Sequence, residues 1–277
     1  MKPLEAAPAG RAFYKMSGSG NDFVFFDCRE QPPGELESPA RIAELCARGP
    51  GVGADGVVFI LPSPTHAYRM RYYNADGSLG ELCGNASLCS VRLAAELSIA
   101  PQGDFQVDSD AGTLTARVRD GLPEIDLAPV TDVQPNFPAI GKGRGESELG
   151  FALAGVPHVV ITCPDVETAD VLGRGAELRS HPSLTEGANV DFLSEGPAGW
   201  SMRTYERGVE GETLACGTGA VASAILLQAW RKSGDRVALK TRSGRTLEVT
   251  VSRRDSFWHP SLRGEGRIVF EGRLREV

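Results

Sequence analysis

The pattern of apolar and polar positions predicts many short strands and few helices. Runs rich in β-branched and aromatic residues, at Phe23–Asp27, Gly56–Leu61 and Tyr68–Tyr73, are typical of strands. A short helix is predicted over Ser38–Ala47, because its first residue is a good N-cap and a proline follows at the first helical position. Residues 1–12 are expected to form a loose tail.

Two further segments predict buried helices. One is NASLCSVRLAAELSIA, two residues after Cys83, and the other is TGAVASAILLQAWRKSG, two residues after Cys216. Because both are apolar on nearly all sides, each helix is expected to be surrounded by strands of its own half. The predicted fold class is α+β, in which curved, mainly antiparallel sheets or barrels wrap around central helices.

The chain also contains a weak internal repeat. Five pairs of segments match in the same order, at offsets of 132–135 residues. The pairs are MRYY (70–73) with MRTY (202–205), GVGADGV (51–57) with TEGANVD (185–191), GNDF (20–23) with GVPH (155–158), CG (83–84) with CG (216–217), and SDAGTL (109–114) with RSGRTL (242–247). The repeat predicts two similarly folded halves, about 13–129 and 149–277, with a cleft at their junction. The Pro- and Gly-rich segment between them, 129–148, is expected to be a surface loop.

Composition narrows the possible functions. The chain has 277 residues and a net charge of −7, which argues against a nucleic-acid-binding protein. It has no apolar run long enough to span a membrane, and its N-terminus does not resemble a secretion signal. A cytoplasmic location is therefore expected, in which the six cysteines would remain reduced thiols.

The repeat places one cysteine, Cys83 or Cys216, directly before a glycine and a helix in each half. The positive end of a helix dipole and its free N–H groups favour a thiolate. Two such thiols on opposite sides of one substrate atom would suit removal of an α-hydrogen from an amino acid and its return on the other face. The N–H groups of both helices would stabilise the charge that develops on the substrate carboxylate.

Other readings of the cysteines are weaker. A redox dithiol is possible, although there is no Cys-X-X-Cys motif. A zinc site is disfavoured by the cysteine spacing and by the presence of only four histidines. A cysteine protease would leave the second Cys-Gly loop unexplained. No lysine lies in a loop suited to pyridoxal phosphate, so neither a cofactor nor a metal is expected.

From Phe13 to Val277 the sequence resembles the diaminopimelate epimerase family. Seven motifs occur in order, and the last is long and specific. They are KMSGSGNDFVFFD (15–27), GVGADGVV (51–58), NADGS (74–78), CGN (83–85), PH (157–158), GANVDFL (187–193) and ERGVEGETLACGTG (206–219). The resemblance implies a pyridoxal-free epimerase of lysine and peptidoglycan-precursor synthesis that interconverts LL- and meso-2,6-diaminopimelate.

The resemblance also implies a role for individual residues. Cys83 and Cys216 would be the two acid–base groups, and His158 and Glu206 would line the site and influence thiol protonation. The residues expected to hold the reacting carboxylate and amine are Asn21, Gly84, Asn85, Gly217 and Thr218. Those expected to hold the distal centre are Asn74, Asn189, Glu206 and Arg207. The family fold further implies an N-terminal lobe of residues 1–121 plus 266–277 and a C-terminal lobe of 122–265, with the active site in the cleft between them.

Several of these residues also have simpler structural interpretations. Asn74 and Asn21 could only shape turns, Glu206 and Arg207 could form a surface ion pair, and His158 could be a core histidine with its hydrogen bonds satisfied. The sequence does not determine the oligomeric state, and a homodimer is one option.

The chain departs from the family pattern in two places. The first cysteine loop usually reads Cys-Gly-Asn-Gly-Ala-Arg, whereas here Ala86, Ser87 and Leu88 follow Asn85. The residue before Pro157 is Val156, where the family usually has an asparagine that helps to bind the distal amine. A racemase of another amino acid, such as histidine or proline, therefore remains an alternative, as does an amino-acid-binding protein without activity.

Overall fold

The chain forms two compact units. The computed structural model describes residues 10–80 and 82–275. Unit one runs to Pro123 and resumes at Gly266, and unit two is Glu124–Glu265. The strands are β1 Arg11–Gly18, β2 Asn21–Asp27, β3 Gly56–Leu61, β4 Tyr68–Asn74, β5 Leu79–Gly80, β6 Phe105–Ser109, β7 Gly112–Arg119, β8 Leu122–Asp126, β9 Val133–Gln134, β10 Glu148–Ala154, β11 Val156–Thr162, β12 Asn189–Gly196, β13 Gly199–Glu206, β14 Gly211–Thr213, β15 Arg236–Lys240, β16 Thr246–Arg254, β17 Phe257–Arg263 and β18 Arg267–Leu274. The α-helices are α1 Pro39–Cys46, α2 Gly84–Glu96, α3 Val171–Arg179 and α4 Gly217–Ala229, with short 3₁₀ turns at Gly34–Glu37 and Val166–Thr168.

Unit one is a mixed sheet folded around α2. Strand β1 is antiparallel to β2 and to the last strand, β18. Strand β2 is parallel to β3, which is antiparallel to β4, and β4 pairs with β5 and, in parallel, with β6. Hairpin β6–β7 completes the order. Helix α2 contacts β1, β2, β3, β4, β7 and β18.

The apolar run in β2 is buried on both faces. Phe23, Val24, Phe25 and Phe26 are each at most 1% exposed. Alternate side chains of a strand point to opposite faces, so an unbroken apolar run requires a cover on each face. Val24 and Phe26 belong to a core cluster that includes residues of α1, whereas α2 contacts the same strand.

Unit two repeats this order of elements. Strand β11 is parallel to β12, which is antiparallel to β13, and β13 pairs with β14 and, in parallel, with β15. Strands β15, β16 and β17 follow in antiparallel order, and β17 pairs with β8. Helix α4 contacts β10, β11, β12, β15, β16 and β17. The predicted α+β class, with sheets wrapped around a central helix in each of two similar halves, is confirmed.

Several local predictions can be compared with the structure. Strand β3 has the predicted bounds, and α1 begins at Pro39 after the N-cap Ser38. The Ser38 hydroxyl, however, donates to the carbonyl oxygen of Glu35 at 2.9 Å instead of capping α1. The predicted tail is wrong for residues 11 and 12, which lie in β1. Residues 1–9 of that tail lie outside the described residues.

The predicted surface loop at 129–148 is also wrong in part. Within it, Val133–Gln134 forms β9 and pairs with β10. Val130 and Ile140 are 2% and 4% exposed. These apolar side chains anchor a segment whose prolines and glycines dominate its sequence pattern. No helix of the described residues is long and apolar enough to cross a membrane.

Candidate active site

Each unit has one cysteine at the N-cap of its central helix. Cys83 precedes α2 with φ −127° and ψ 116°, and Cys216 precedes α4 with φ −130° and ψ 115°. The carbonyl oxygen of each cysteine accepts the N–H four residues later, at 2.8 Å from Ser87 and 3.0 Å from Ala220. Both helices have 13 residues. The predicted helix starts are confirmed, and the two cysteines have nearly identical backbone conformations.

The sulfur of Cys216 lies in a buried polar environment. It accepts the backbone N–H of Gly219 at 3.4 Å and lies 3.4 Å from the hydroxyl oxygen of Thr218. Burial raises the pKa of the Cys216 thiol well above its ordinary value, and the negative charges of Glu206 and Asp191 raise it further. The contacts of the sulfur with the Thr218 hydroxyl and with the Gly219 N–H lower the pKa by less. The N–H of Gly219 at the helix terminus thus favours the thiolate, as expected, but burial has the larger and opposite effect on the pKa of Cys216.

His158 connects Thr218 to a buried carboxylate. Its Nε2 lies 3.0 Å from the Thr218 hydroxyl, and its Nδ1 lies 2.7 Å from Oδ2 of Asp191. Neither His158 nor Asp191 is exposed. The other carboxylate oxygen, Oδ1, accepts a hydrogen bond from Thr204 at 2.6 Å. A continuous series of polar contacts thus leads from Thr204 and Asp191 through His158 and Thr218 to the sulfur of Cys216.

Asn189 joins this series to the turn after β13. Its Oδ1 accepts the backbone N–H of Arg207 at 2.8 Å, and its Nδ2 lies 3.4 Å from Nε2 of His158. The Arg207 guanidinium donates to the carbonyl oxygen of Glu186 at 2.9 Å, which is one of the five hydrogen bonds that this group can donate. Glu206 is half-buried, and its charge acts on Cys216. The structure therefore brings His158, Asn189, Glu206, Arg207, Cys216, Gly217 and Thr218 together in unit two.

In unit one the structure places Asn21 beside Asn85. Nδ2 of Asn85 donates to Oδ1 of Asn21 at 2.7 Å, and Nδ2 of Asn21 donates to Asp55 at 3.0 Å. Asn85 is 3% exposed, and its Oδ1 has no hydrogen-bond partner among residues 10–80 and 82–275. Within the described part of the chain, one buried acceptor at the start of α2 thus has no hydrogen-bond donor.

A network of charges holds the loop that carries Asn21. Lys15, which is 7% exposed, donates to Asp22 at 2.6 Å and to the carbonyl oxygen of Gly53. Arg48 bridges Asp22 and Asp55, at 2.6 Å and 2.9 Å. These hydrogen bonds keep the pKa of Asp22 below its ordinary value, although burial opposes them. The orientation of Asn21 is therefore determined by its neighbours and not by the loop alone.

Asn74 lies at the end of β4. Its Oδ1 accepts a hydrogen bond from Tyr72 at 3.0 Å, and its Nδ2 donates to Ser78 at 3.0 Å. Its backbone N–H also donates to Ser78, so the NADGS segment forms a turn. The simpler interpretation of Asn74 as a turn-forming residue is thus consistent with these contacts, and a role in binding remains a prediction.

The departures from the family pattern have different structural consequences. Ala86 lies in α2 and is absent from the residues with positive φ, so its methyl group causes no backbone strain. Leu88 is fully buried in the core, where an arginine would need a partner for its charge. Val156 is half-buried at the start of β11, directly after Gly155 with φ +75°. Neither Ala86 nor Leu88 therefore strains the fold, and the effect of Val156 on substrate binding remains a prediction.

Asp191, Thr204 and Asp55 contact the predicted site residues or each other but were not themselves predicted from the sequence. Asp191 lies in the GANVDFL motif, as a single carboxylate within an apolar strand. A buried carboxylate requires hydrogen bonds or a charge partner, so its position in such a strand is a detectable signal. The partner itself could not be predicted, because His158 is 33 residues away in the sequence.

Solved structures show the class of fold. A phenazine biosynthesis protein of the PhzF family from Bacillus anthracis superposes with a TM-score of 0.74 at 16% identity, over 96% of this chain and 99% of that one. A hydroxyproline epimerase from Agrobacterium vitis superposes with a TM-score of 0.67 at 16% identity, over 96% of this chain and 92% of that one. At such identities the similarity establishes the two-lobe α+β fold alone.

Sequence comparison establishes the family. The diaminopimelate epimerase family model matches residues 13–129 and 151–261. A diaminopimelate epimerase from Gemmatimonas aurantiaca is 46% identical, with 95% of this chain and 99% of that protein covered. The chain belongs to the diaminopimelate epimerase family, and therefore to the isomerases.

Proposed function

We propose that this protein interconverts LL- and meso-2,6-diaminopimelate by proton transfer between the substrate α-carbon and the thiols of Cys83 and Cys216. The observation that carries the proposal is the matched pair of N-cap cysteines, which have the same backbone conformation at the start of equivalent helices. The 46% identical relative that carries the name diaminopimelate epimerase supports the choice of substrate.

The proposed reaction balances without a cofactor or a metal. The thiolate of one cysteine takes the α-hydrogen as a proton, and the thiol of the other gives its proton to the opposite face of the carbon. The product therefore leaves the two cysteines with exchanged protonation states, and they titrate as a coupled pair. A raised pKa favours the protonated form of Cys216, so we propose that Cys216 is the thiol of the pair before the first turnover.

The proposal assigns the α-carboxylate and the α-amine to the two helix starts. The free N–H groups of the first turns of α2 and α4, at Gly84, Asn85, Gly217 and Thr218, would stabilise the charge that develops on the carboxylate. The available Oδ1 of Asn85 suits an ammonium donor, and the adjacent Asn21 fixes the orientation of that amide. His158 and Glu206 would set the protonation of Cys216.

The distal centre is assigned to Asn74, Asn189, Glu206 and Arg207. The remaining guanidinium donors of Arg207 suit a carboxylate in a bidentate arrangement. Asn189 would act chiefly through Arg207 and His158, since both ends of its amide already have partners in the unit. The proposal requires the two lobes to place both thiols on opposite faces of one α-carbon, with the site in the cleft between them.

The proposed activity belongs to lysine and peptidoglycan-precursor synthesis. It needs two reduced thiols, which supports a reducing compartment such as the cytoplasm. All six cysteines of the chain are thiols in the structure.

One observation favours a second candidate, a racemase of another amino acid such as proline or histidine. Val156 cannot hydrogen-bond to a distal amine through its side chain, whereas the family usually has an asparagine at this position. A substrate with a shorter or ring-shaped side chain would not need that hydrogen bond. The guanidinium of Arg207, which suits a distal carboxylate, supports diaminopimelate instead.

A single experiment separates the two candidates. The purified protein is incubated in D₂O with LL-diaminopimelate, proline or histidine, and incorporation of deuterium at the α-carbon is followed by NMR and mass spectrometry. The proposal expects exchange and epimerisation with diaminopimelate only. Exchange with proline or histidine but not with diaminopimelate would establish the second candidate, and exchange with none would support a binding protein without activity.

A further inference from the structure

We propose that Asp191 is a positioning residue that holds His158 in its Nδ1–H tautomer and thereby determines the direction of the Thr218 hydroxyl beside the Cys216 sulfur. This inference deepens the proposed function and rests on it for its catalytic meaning. The tautomer itself follows from contacts within unit two and can be measured without any substrate.

The backbone N–H of Arg207 can only donate a hydrogen bond. The Asn189 atom 2.8 Å from it must therefore be the acceptor oxygen, Oδ1. The amide nitrogen of Asn189 then faces Nε2 of His158 at 3.4 Å. Because an amide NH₂ group can also only donate, this contact favours an Nε2 without a proton, and the carboxylate oxygen 2.7 Å from Nδ1 favours a proton on that other ring nitrogen. A neutral histidine with a bare Nε2 carries its proton on Nδ1.

The carboxylate of Asp191 accepts a hydrogen bond from this Nδ1–H group. Nδ1 of His158 donates to Oδ2 at 2.7 Å, while the Thr204 hydroxyl donates to Oδ1 at 2.6 Å. The carboxylate has no exposed surface, so it cannot exchange these donors for water. The start of α4 also approaches it closely, since a Cβ built at Gly219 would lie 2.4 Å from Oδ1. The position of Asp191 is thus determined from three sides.

The tautomer has a consequence for the thiol. Nε2 of His158 can only accept, so the Thr218 hydroxyl donates to it at 3.0 Å. The Thr218 oxygen then presents its lone pairs to the Cys216 sulfur 3.4 Å away, and the thiol can donate to it. In the opposite tautomer Nε2 would donate to Thr218, and the hydroxyl proton would turn towards the sulfur and stabilise a thiolate.

The other charged groups near Cys216 belong to the same unit. Glu206 on β13 and Asp191 on β12 both act on the thiol, and His158, which contacts Thr218, comes from β11. Asp191→Asn would therefore change two things: it removes one negative charge, and its amide group can donate to Nδ1, which reverses the tautomer. Both changes favour the Cys216 thiolate.

The test is ¹⁵N NMR of protein labelled in the histidine rings. The chain has only four histidines, so His158 can be assigned by its loss in His158→Gln. In the unsubstituted protein we expect Nδ1 to be protonated and Nε2 to be bare, and in Asp191→Asn we expect the two signals to exchange character. Protonated Nε2 in the unsubstituted protein would overturn the proposal. For this measurement the only variant that must fold is His158→Gln, which is used for the assignment.

A matched control is Glu146→Gln, which removes a carboxylate that is 8% exposed and pairs with Arg174, away from His158. It should leave the His158 tautomer unchanged. Thr204→Val keeps the charge of Asp191 and should also keep the tautomer, so a reversal there would contradict the assignment to the carboxylate.

In the epimerase assay, Asp191→Asn should lower kcat by roughly 10-fold or more with a smaller change in KM, by analogy with a reversed tautomer in a catalytic triad. An inactive unsubstituted protein would refute the proposed function, whereas the NMR result would stand.

Discussion

Cys83 and Cys216 differ by only 3° in φ and 1° in ψ at the N-caps of their helices, from −127° and 116° to −130° and 115°. The duplicated backbone is accompanied by different side-chain partners. The residue two positions after Cys83 is Asn85, which bonds to Asn21, whereas the residue two positions after Cys216 is Thr218, which bonds to His158. The two halves thus provide thiols with equivalent backbone positions in unequal surroundings, which is what the proposed two-thiol mechanism needs.

The first prediction concerns the two thiols. Cys83→Ala and Cys216→Ala should each lower kcat for epimerisation by about 10²–10⁴-fold, because each removes one general acid–base group. Binding of diaminopimelate, measured by calorimetry, should change much less. Cys163→Ala is the matched control, since Cys163 is a half-buried thiol whose recorded contact is the Leu193 carbonyl oxygen. Equal losses in all three variants would show that the effect is structural.

The second prediction concerns the pH dependence of alkylation at Cys216. Burial and the charges of Glu206 and Asp191 raise the pKa of this thiol, so its thiolate forms only at a pH above the ordinary cysteine range. Glu206→Gln removes one of those charges and should shift the alkylation profile to lower pH. The rate for each cysteine is followed with iodoacetamide and peptide mass spectrometry.

The control for this experiment is Glu195→Gln, which removes an exposed carboxylate from β12. It should leave the Cys216 profile in place. A shift of equal size in both variants would mean that the net charge of the unit, and not the proximity of Glu206, determines the pKa of the thiol.

The third prediction tests whether the thiols meet as the proposed mechanism requires. Mild oxidation should inactivate the protein by forming one disulfide between Cys83 and Cys216, and a reductant should restore activity. Peptide mapping identifies the linkage, and substrate should slow its formation. Bound substrate that leaves the rate unchanged, or a linkage to any other cysteine, would argue against a shared site.

The sequence predicted several strands, three of the four α-helices of the described residues and the fold class, because these depend on patterns along the chain. The unbroken apolar runs of β2 and β3 and the small-residue helices after Cys83 and Cys216 are readable without tertiary information. The raised pKa of Cys216 was not readable, since it depends on burial and on carboxylates from β12 and β13. The anchoring of the 129–148 segment by Val130 and Ile140 was missed for the same reason.

The last prediction concerns Gly219, in the first turn of α4. A helical Gly→Ala substitution normally stabilises a protein by up to about 1 kcal/mol. Here the new Cβ would lie 2.4 Å from Oδ1 of Asp191, so Gly219→Ala should instead lower the free energy of unfolding by about 1–3 kcal/mol. Gly234→Ala is the control, because nothing lies within 4 Å of its Cβ position. Urea unfolding measures both variants.

A double variant locates the clash that this prediction assumes. If the methyl group of Ala at position 219 acts through Asp191, then Asp191→Ala should relieve it, and the double variant should be less destabilised than the sum of the two single variants by about 0.5 kcal/mol or more. If the changes in the free energy of unfolding of the two single variants are strictly additive, the strain lies elsewhere in α4. A new methyl group at position 219 would displace the buried carboxylate of Asp191, whose Oδ2 bonds to His158. Gly219→Ala should therefore also lower kcat while leaving the fold intact. An active Gly219→Ala enzyme of unchanged stability would show that the carboxylate can move, and that its contact with His158 does not depend on the glycine.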